Sequence, residues 1–221
     1  IAGTRHVFSL ADHGADAWYD RAAATFAALG APLLARADLH LFGDHNVANA
    51  LAASLAVMVA DDGHRTPDAR ARIADGLRTF RPLAHRLEVV GDFGGVQWIN
   101  DSKATNVSST LVAVQGMTRP TILLLGGRHK GEPYTALAEP ARTIVKRVIA
   151  YGEAGPIVAQ DLGGVVPLDL ERGAFETVMA RARAAAEPGD VVLMSPACSS
   201  YDMFNNYEER GAAFRRLAAS E

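Results

Sequence analysis

Three short runs in the second half of the chain are apolar at almost every position: TILLLGG (121–127), RVIAYG (147–152) and DVVLMSP (190–196). A strand with one solvated face alternates apolar and polar residues, whereas an unbroken apolar run fits a strand covered on both faces. A further strand is expected at GVVPLDL (164–170), and helical runs fall near 105–116, 135–145, 174–186 and 202–219. Strand and helix in alternation, with both sheet faces buried, define an α/β fold with a doubly wound, Rossmann-like and mostly parallel sheet. RLEVVGDFGGVQWIN (86–100) opens this region as a hairpin around Gly91–Asp92–Phe93–Gly94–Gly95.

The residues before it read differently. HVFSL (6–10) and LHLFG (39–43) are expected as short strands, with DHGADA (12–17) as a turn. HNVANALAASLAVMVA (45–60) is apolar on most faces and reads as a buried helix. Thr66–Pro67–Asp68 starts another: a capping hydroxyl, a proline in the first turn and an acid at the positive end of the helix dipole. That helix is expected to run to about Thr79, because Pro82 biases Arg81 away from helix. A boundary is therefore expected near 82–85, with one domain over residues 1–83 and a second over 84–221.

Composition excludes several functions. The net charge is −3, with no basic stripe, so a nucleic-acid partner is not expected. No apolar run approaches the length of a membrane span, and no membrane partner is expected. The single cysteine, Cys198, rules out an internal disulfide and fits a reducing compartment. Residue 1 is Ile rather than Met, and a fragment of something longer is expected.

In a doubly wound sheet, ligands bind outside the carboxyl ends of the strands. Three strand ends here carry polar clusters: NDSKATN (100–106), GGRHKGEP (126–133) and SPACSSYDMFNNYEERG (195–211). If those strands are parallel neighbours, Lys103, Lys130 and Ser199–Ser200 share one rim. Two ammonium groups with hydroxyls and helix-start N–H groups make an anion site suited to a ligand with two carboxylates. The competing reading is that each lysine is a solvated surface residue, as lysines mostly are. Ser102 and Thr105 can equally cap the next helix, and Asp101 can be a cap, a general base, a metal ligand or a nucleotide-binding acid. Cys198 is either a nucleophile of lowered pKa or a small buried hydrophobe. His85 and His129 are candidate acid–base groups, and no spacing marks a metal site. Glu208, Glu209 and Arg210 are expected on a solvated helix face with local ion pairs.

No G-x-x-x-x-G-K followed by Ser or Thr is present, and GGRHKG does not supply one. The order GDHNVANALAA (43–53), HRLE (85–88), INDSKATN (99–106), LLLGGRHKG (123–131) and SPACSSYDMFNNYEERG (195–211) resembles the Mur ligase family. The D-S-K-A-T-N and S-P-A-C-x-S-x-D patterns resemble the branch that adds D-glutamate, and the resemblance is weakest over residues 1–38. It implies the end of an α/β ATPase central domain over residues 1–83 and a complete C-terminal amino-acid-binding domain over 84–221. It also implies amide synthesis from ATP through an acyl phosphate. The acceptor would be UDP-N-acetylmuramoyl-L-alanine, held mainly by an upstream domain, and Mg2+ would be bound mainly by upstream residues. A cytoplasmic, bacterial and monomeric enzyme is expected, with this chain inactive alone.

Carried onto this sequence, the resemblance puts D-glutamate against Lys103, Thr105, Lys130, Ser200 and the backbone at Tyr201, with Tyr207 packed nearby. Asn46, Arg86 and Asp101 would face the nucleotide, Asn46 near adenine and Arg86 near phosphate or ribose. The family usually has Ala at Ser199, Phe at Tyr207 and an acid or small residue at His129. The rivals are a related ligase, such as a folylpolyglutamate or meso-diaminopimelate ligase, a glutamate-binding module without turnover, and an oxidoreductase. The last lacks its G-x-G-x-x-G.

Overall fold

The computed structural model describes residues 3–220, and the chain divides between Pro82 and Leu83 into two units. The first is a four-stranded sheet in the order β1 (Phe8–Ser9), β2 (Ala17–Asp20), β3 (Thr25–Ala28) and β4 (Ala31–Ala35). β1 runs parallel to β2, and the other pairs are antiparallel. Helix α1 (Asp44–Ala60) lies on this sheet and buries Val47, Leu51, Leu55 and Met58 with Phe26 and Leu34. Helix α2 (Pro67–Thr79) is capped by the Thr66 hydroxyl, and its Arg70 donates to the carbonyls of Ala28 and Ala31.

Two expectations for this unit need correction. HVFSL contributes only Phe8–Ser9 as strand, and LHLFG contributes none. Leu39 of that segment is instead a single buried anchor. The hairpin of β3 and β4 is Ala-rich, a composition with little strand propensity. Its turn, Leu29–Gly30, has φ of 48° and 79°, so a leucine occupies a left-handed position normally given to Asn, Asp or Gly.

The second unit holds six strands in the order β5 (Glu88–Phe93), β6 (Val96–Asn100), β10 (Val191–Met194), β7 (Thr121–Gly126), β8 (Val145–Tyr151) and β9 (Leu168–Glu171). All neighbours are parallel except β5 and β6, which form the expected hairpin. Successive residues of a strand point to opposite faces. Trp98, Ile122, Leu124 and Met194 accordingly join Phe175 and Phe214 of helices α6 (Phe175–Ala185) and α7 (Tyr207–Ala218) in one core layer. Ile99, Leu123, Leu125 and Leu193 are buried on the other face. There α3 (Val107–Gln115), α4 (Ala138–Ile144), α5 (Gly155–Leu162) and a 3-10 turn at Tyr134–Leu137 pack together. Helix α5 escapes sequence reading because it has only eight residues between glycines, opening with Gly155–Pro156.

The order matters because β10 comes last in the chain yet sits between β6 and β7. Met194 is in register with Asn100 on one side and Leu124 on the other. The three polar strand ends therefore lie side by side.

Gly211 lets this rim close. A Cβ there would collide with the His85 ring, whose Nδ1 is held 3.0 Å from Asn100 Nδ2. Gly211→Ala inside a helix ordinarily gains about 1 kcal/mol. Here it is expected to lower the urea midpoint of unfolding, because the pinned ring must move. In a His85→Ala background the same substitution is expected to raise the midpoint; a gain in both backgrounds would refute the notch.

Candidate functional site

β6 ends at Asn100 and the chain turns through Asp101–Ser102–Lys103 before α3 begins. Asp101 N donates to Met194 O at 2.8 Å and Lys103 N to His85 O at 3.0 Å, so the turn is stitched to β10 and to the entry segment of the unit. α3 is capped by Asn106, whose Oδ1 accepts from Ser109 N at 2.8 Å. This corrects the capping alternative for Asp101, Ser102 and Thr105.

Ser102 is bound into the protein instead. Its hydroxyl donates to Tyr207 O at 2.8 Å and accepts from Arg210 Nε at 3.0 Å. Arg210, expected on a solvated face, is fully buried. One terminal nitrogen donates to Ser102 O at 2.9 Å and Cys198 O at 3.1 Å. The reason is helical phase: Arg210, Phe214 and Ala218 are all buried, four residues apart on one stripe. That spacing was the available signal, obscured by the charged run around it.

Lys103 is half-buried, with its ammonium 3.6 Å from the centre of the Tyr207 ring, a cation–π contact. Lys130 is exposed on the loop after β7. The chain contains only three lysines, Lys103, Lys130 and Lys146. Lys146 is paired with Glu187 at 2.6 Å and Asp190 at 2.8 Å. Among the described residues, neither Lys103 nor Lys130 has an ion pair. Two unpaired ammonium groups thus stand on the strand ends flanking β10.

The loop after β10 completes the rim. Its Ala197 takes a left-handed φ of 57°, uncommon for a residue with a Cβ and held here by the bonds on either side. Gly126 N donates to Pro196 O at 3.0 Å, and Arg128 N to Ser199 O at 2.8 Å. Gly127 sits in this crossing with φ of 129°, where a Cβ would strike Ser199 O. Ser200 is buried, Thr105 and Tyr207 are half-buried, and Tyr201 is 61% exposed.

Asp101 is buried behind the lysine rim. Its Oδ2 accepts from Ser195 Oγ at 2.8 Å and its Oδ1 from Leu87 N at 3.2 Å. Burial pushes its carboxyl up to about 6; these bonds and the Arg86 charge pull the other way. Arg86 is exposed and near enough for its charge to be felt there. Asn46 belongs to the first unit, in the first turn of α1, where its amide donates to Phe42 O at 2.8 Å. Cys198 is fully buried and its thiol is pushed up to about 11, which corrects the alternative of an activated nucleophile. Among the described residues no group of three or more His, Cys, Asp or Glu side chains could hold a metal ion, and no helix is long and apolar enough to cross a membrane. A cleft of about 590 Å3 between α6 and α7, lined by Phe175, Phe204 and Arg216, has the Arg216–Glu176 ion pair but no free ammonium.

The fold and rim define an α/β domain that presents two unpaired lysines at a topological switch point. Residues 85–198 match the Mur ligase, glutamate ligase domain, and the chain belongs to the Mur ligase family. It is 43% identical over 185 residues to the UDP-N-acetylmuramoylalanine–D-glutamate ligase of Salinibacter ruber, covering 84% of this chain and 39% of that protein. The enzyme of the same name from Methylococcus capsulatus is 39% identical, covering 95% and 44%. The chain thus spans about two fifths of the length of these curated relatives. Among solved structures, a pseudomurein peptide ligase type C from Methanothermus fervidus matches with a TM-score of 0.62 at 17% identity, covering 91% of this chain and 41% of that one. A Mycobacterium tuberculosis folylpolyglutamate synthase complexed with ADP matches with a TM-score of 0.61 at 14% identity, covering 94% and 49%. These two likenesses speak to fold alone.

The folded pKa of Asp101 lies above its ordinary value, so the folded state holds this proton more tightly than the unfolded chain does. Its contribution to stability is complete below about pH 4 and is lost as pH rises through about 6. A carbon-13 NMR titration is expected to find the Asp101 carboxyl near 6 and to find it higher still in Ser195→Ala, which removes a bond to the ionised form. A titration near 4 in both proteins would contradict the burial argument.

Proposed function

We propose that this chain is the amino-acid-binding part of an ATP-dependent ligase that joins D-glutamate to UDP-N-acetylmuramoyl-L-alanine in peptidoglycan precursor synthesis. The observation that carries the reading is the pair of unpaired lysines, Lys103 and Lys130, on the strand ends flanking β10. The family membership and the named relatives support it. A dicarboxylate ligand would take one ammonium at each end. Thr105, Ser200 and the Tyr201 backbone would add directed donors, and Tyr207 would pack beside them.

In this reading, ATP phosphorylates the acceptor carboxylate and leaves as ADP. The amine of D-glutamate, having lost a proton, attacks the acyl carbon. The C–N bond forms, the C–O bond to phosphate breaks, and inorganic phosphate departs. The rim contributes positioning, because it fixes the nucleophile by its two carboxylates. It also contributes fixed positive charge beside centres where negative charge develops.

Arg86 and Asp101 are assigned to the nucleotide. The first unit is assigned to the end of an ATP-binding domain. Mg2+ and most of the ATP and UDP-sugar contacts would be supplied by residues outside this chain. The complete protein would be a cytoplasmic bacterial enzyme, acting as a monomer.

The test is ATP-dependent phosphate release by the complete protein with the UDP-sugar acceptor and a panel of D-glutamate, L-glutamate, L-lysine and meso-diaminopimelate. Release with D-glutamate alone is expected. Lys103→Ala is expected to raise the KM for D-glutamate about tenfold to a hundredfold, the cost of a charged hydrogen bond. Release with another amino acid would keep the ligase class and overturn the substrate. No release with any would favour binding without turnover.

A further inference from the structure

The loop that carries Lys130 is fastened at both ends and nearly free between them. At one end Arg128 pairs with Ser199, N to O at 2.8 Å. At the other, Glu132 Oε2 accepts from Val107 N at 3.2 Å, the first residue of α3. Among the described residues, His129, Lys130 and Gly131 make no backbone hydrogen bond. One polar link holds this stretch. His129 Nδ1 lies 3.0 Å from Tyr134 Oη, and Tyr134 Oη lies 2.9 Å from Cys198 Sγ. Tyr134 and Cys198 are fully buried, and Tyr134 N is itself tied to Asp161 Oδ2 at 2.8 Å. A half-exposed imidazole is thus chained through a buried phenol to a buried thiol on the neighbouring strand end.

We propose that His129 and Tyr134 are positioning residues for Lys130: the imidazole–phenol–thiol chain ties the lysine's loop to the end of β10, and so sets where the second ammonium stands relative to the first. The inference rests on the anion-site reading of Lys103 and Lys130 and deepens it. The chain is closed in either protonation state of His129. With a neutral ring, Tyr134 O–H donates to Nδ1 and the Cys198 S–H donates to Tyr134 Oη. With a protonated ring, Nδ1–H donates to Tyr134 Oη, whose hydrogen turns to Cys198 Sγ. Burial pushes both the phenol and the thiol above their ordinary ranges, so neither adds a charge. The link is a tether rather than a nucleophile or a proton donor to substrate.

The test uses the complete protein and the KM for D-glutamate. Tyr134→Phe keeps the ring and removes both bonds; His129→Ala removes the loop's end of the chain. Each is expected to raise KM about threefold to tenfold, with kcat within about twofold. The double variant is expected to be no worse than either single one, because both cut the same link. His129→Asn, whose side-chain amide can reach the place of Nδ1, is expected to restore a KM near that of the unaltered protein. Lys130→Ala separates the two levels. If it raises KM while Tyr134→Phe and His129→Ala do not, or if their effects add, the tether is wrong and the site stands. If Lys130→Ala itself leaves KM unchanged, the anion-site reading fails and the tether falls with it.

Discussion

A buried guanidinium holds the rim together. Arg210 has no exposed surface, and its acceptors are a hydroxyl and two backbone carbonyls: Ser102 Oγ, Ser102 O and Cys198 O. Those groups belong to the ends of β6 and β10, while Arg210 itself belongs to α7. A planar fork of donors suits this task, since it fixes two loops and a helix at set angles in a way a single ammonium does not. The cost is a charge removed from water, and Nη1 is buried without a hydrogen-bond partner. The same contacts bring Tyr207, at the start of α7, beside Lys103.

Around that anchor the titratable groups are sorted by depth. Asp101 is buried, raised in pKa and tied to Ser195 and Leu87. The lysines are nearer the solvent and unpaired. Asp101 and Lys103 come from one turn beyond the end of β6, whose backbone is fixed by bonds to Met194 O and His85 O. The acid thus faces the entry segment and β10, while the base lies over an aromatic face. Leu87 and His85 of that entry segment hold left-handed φ values of 44° and 64°. Such backbone persists where several contacts over-determine it, and here those contacts are Asp101, Lys103, Asn100 and Gly211.

The second unit was largely legible in the sequence because its central strands, β7, β8 and β10, are buried on both faces over most of their length and leave unbroken apolar runs. The polar residues at strand ends stood out against those runs, although Asn100, Asp101 and Ser102 are themselves buried and hydrogen-bonded. What was hidden is equally physical. Arg210 lay on the apolar stripe with Phe214 and Ala218, but a charged residue among Glu208 and Glu209 reads as solvated unless its partners are known, and Ser102 is 108 residues away. The contact of Tyr134 with Cys198 was invisible because the two are 64 residues apart in the chain. The hairpin of β3 and β4 was missed because alanine carries little strand signal and Leu29 disguises its turn.

The scarcity of lysine has a chemical consequence. The chain meets most of its need for positive charge with arginine and keeps just three primary amines in its side chains. One of these, Lys146, is exposed and ion-paired with Glu187 and Asp190. The two without an ion pair among the described residues, Lys103 and Lys130, stand on the strand ends flanking β10, and in the proposed reading a bound dicarboxylate would shield them from a reagent that acylates amines. If the rim takes the proposed ligand, acylation of Lys103 and Lys130 would fall while that of Lys146 stays, so the chain would carry labelling handles with an internal reference.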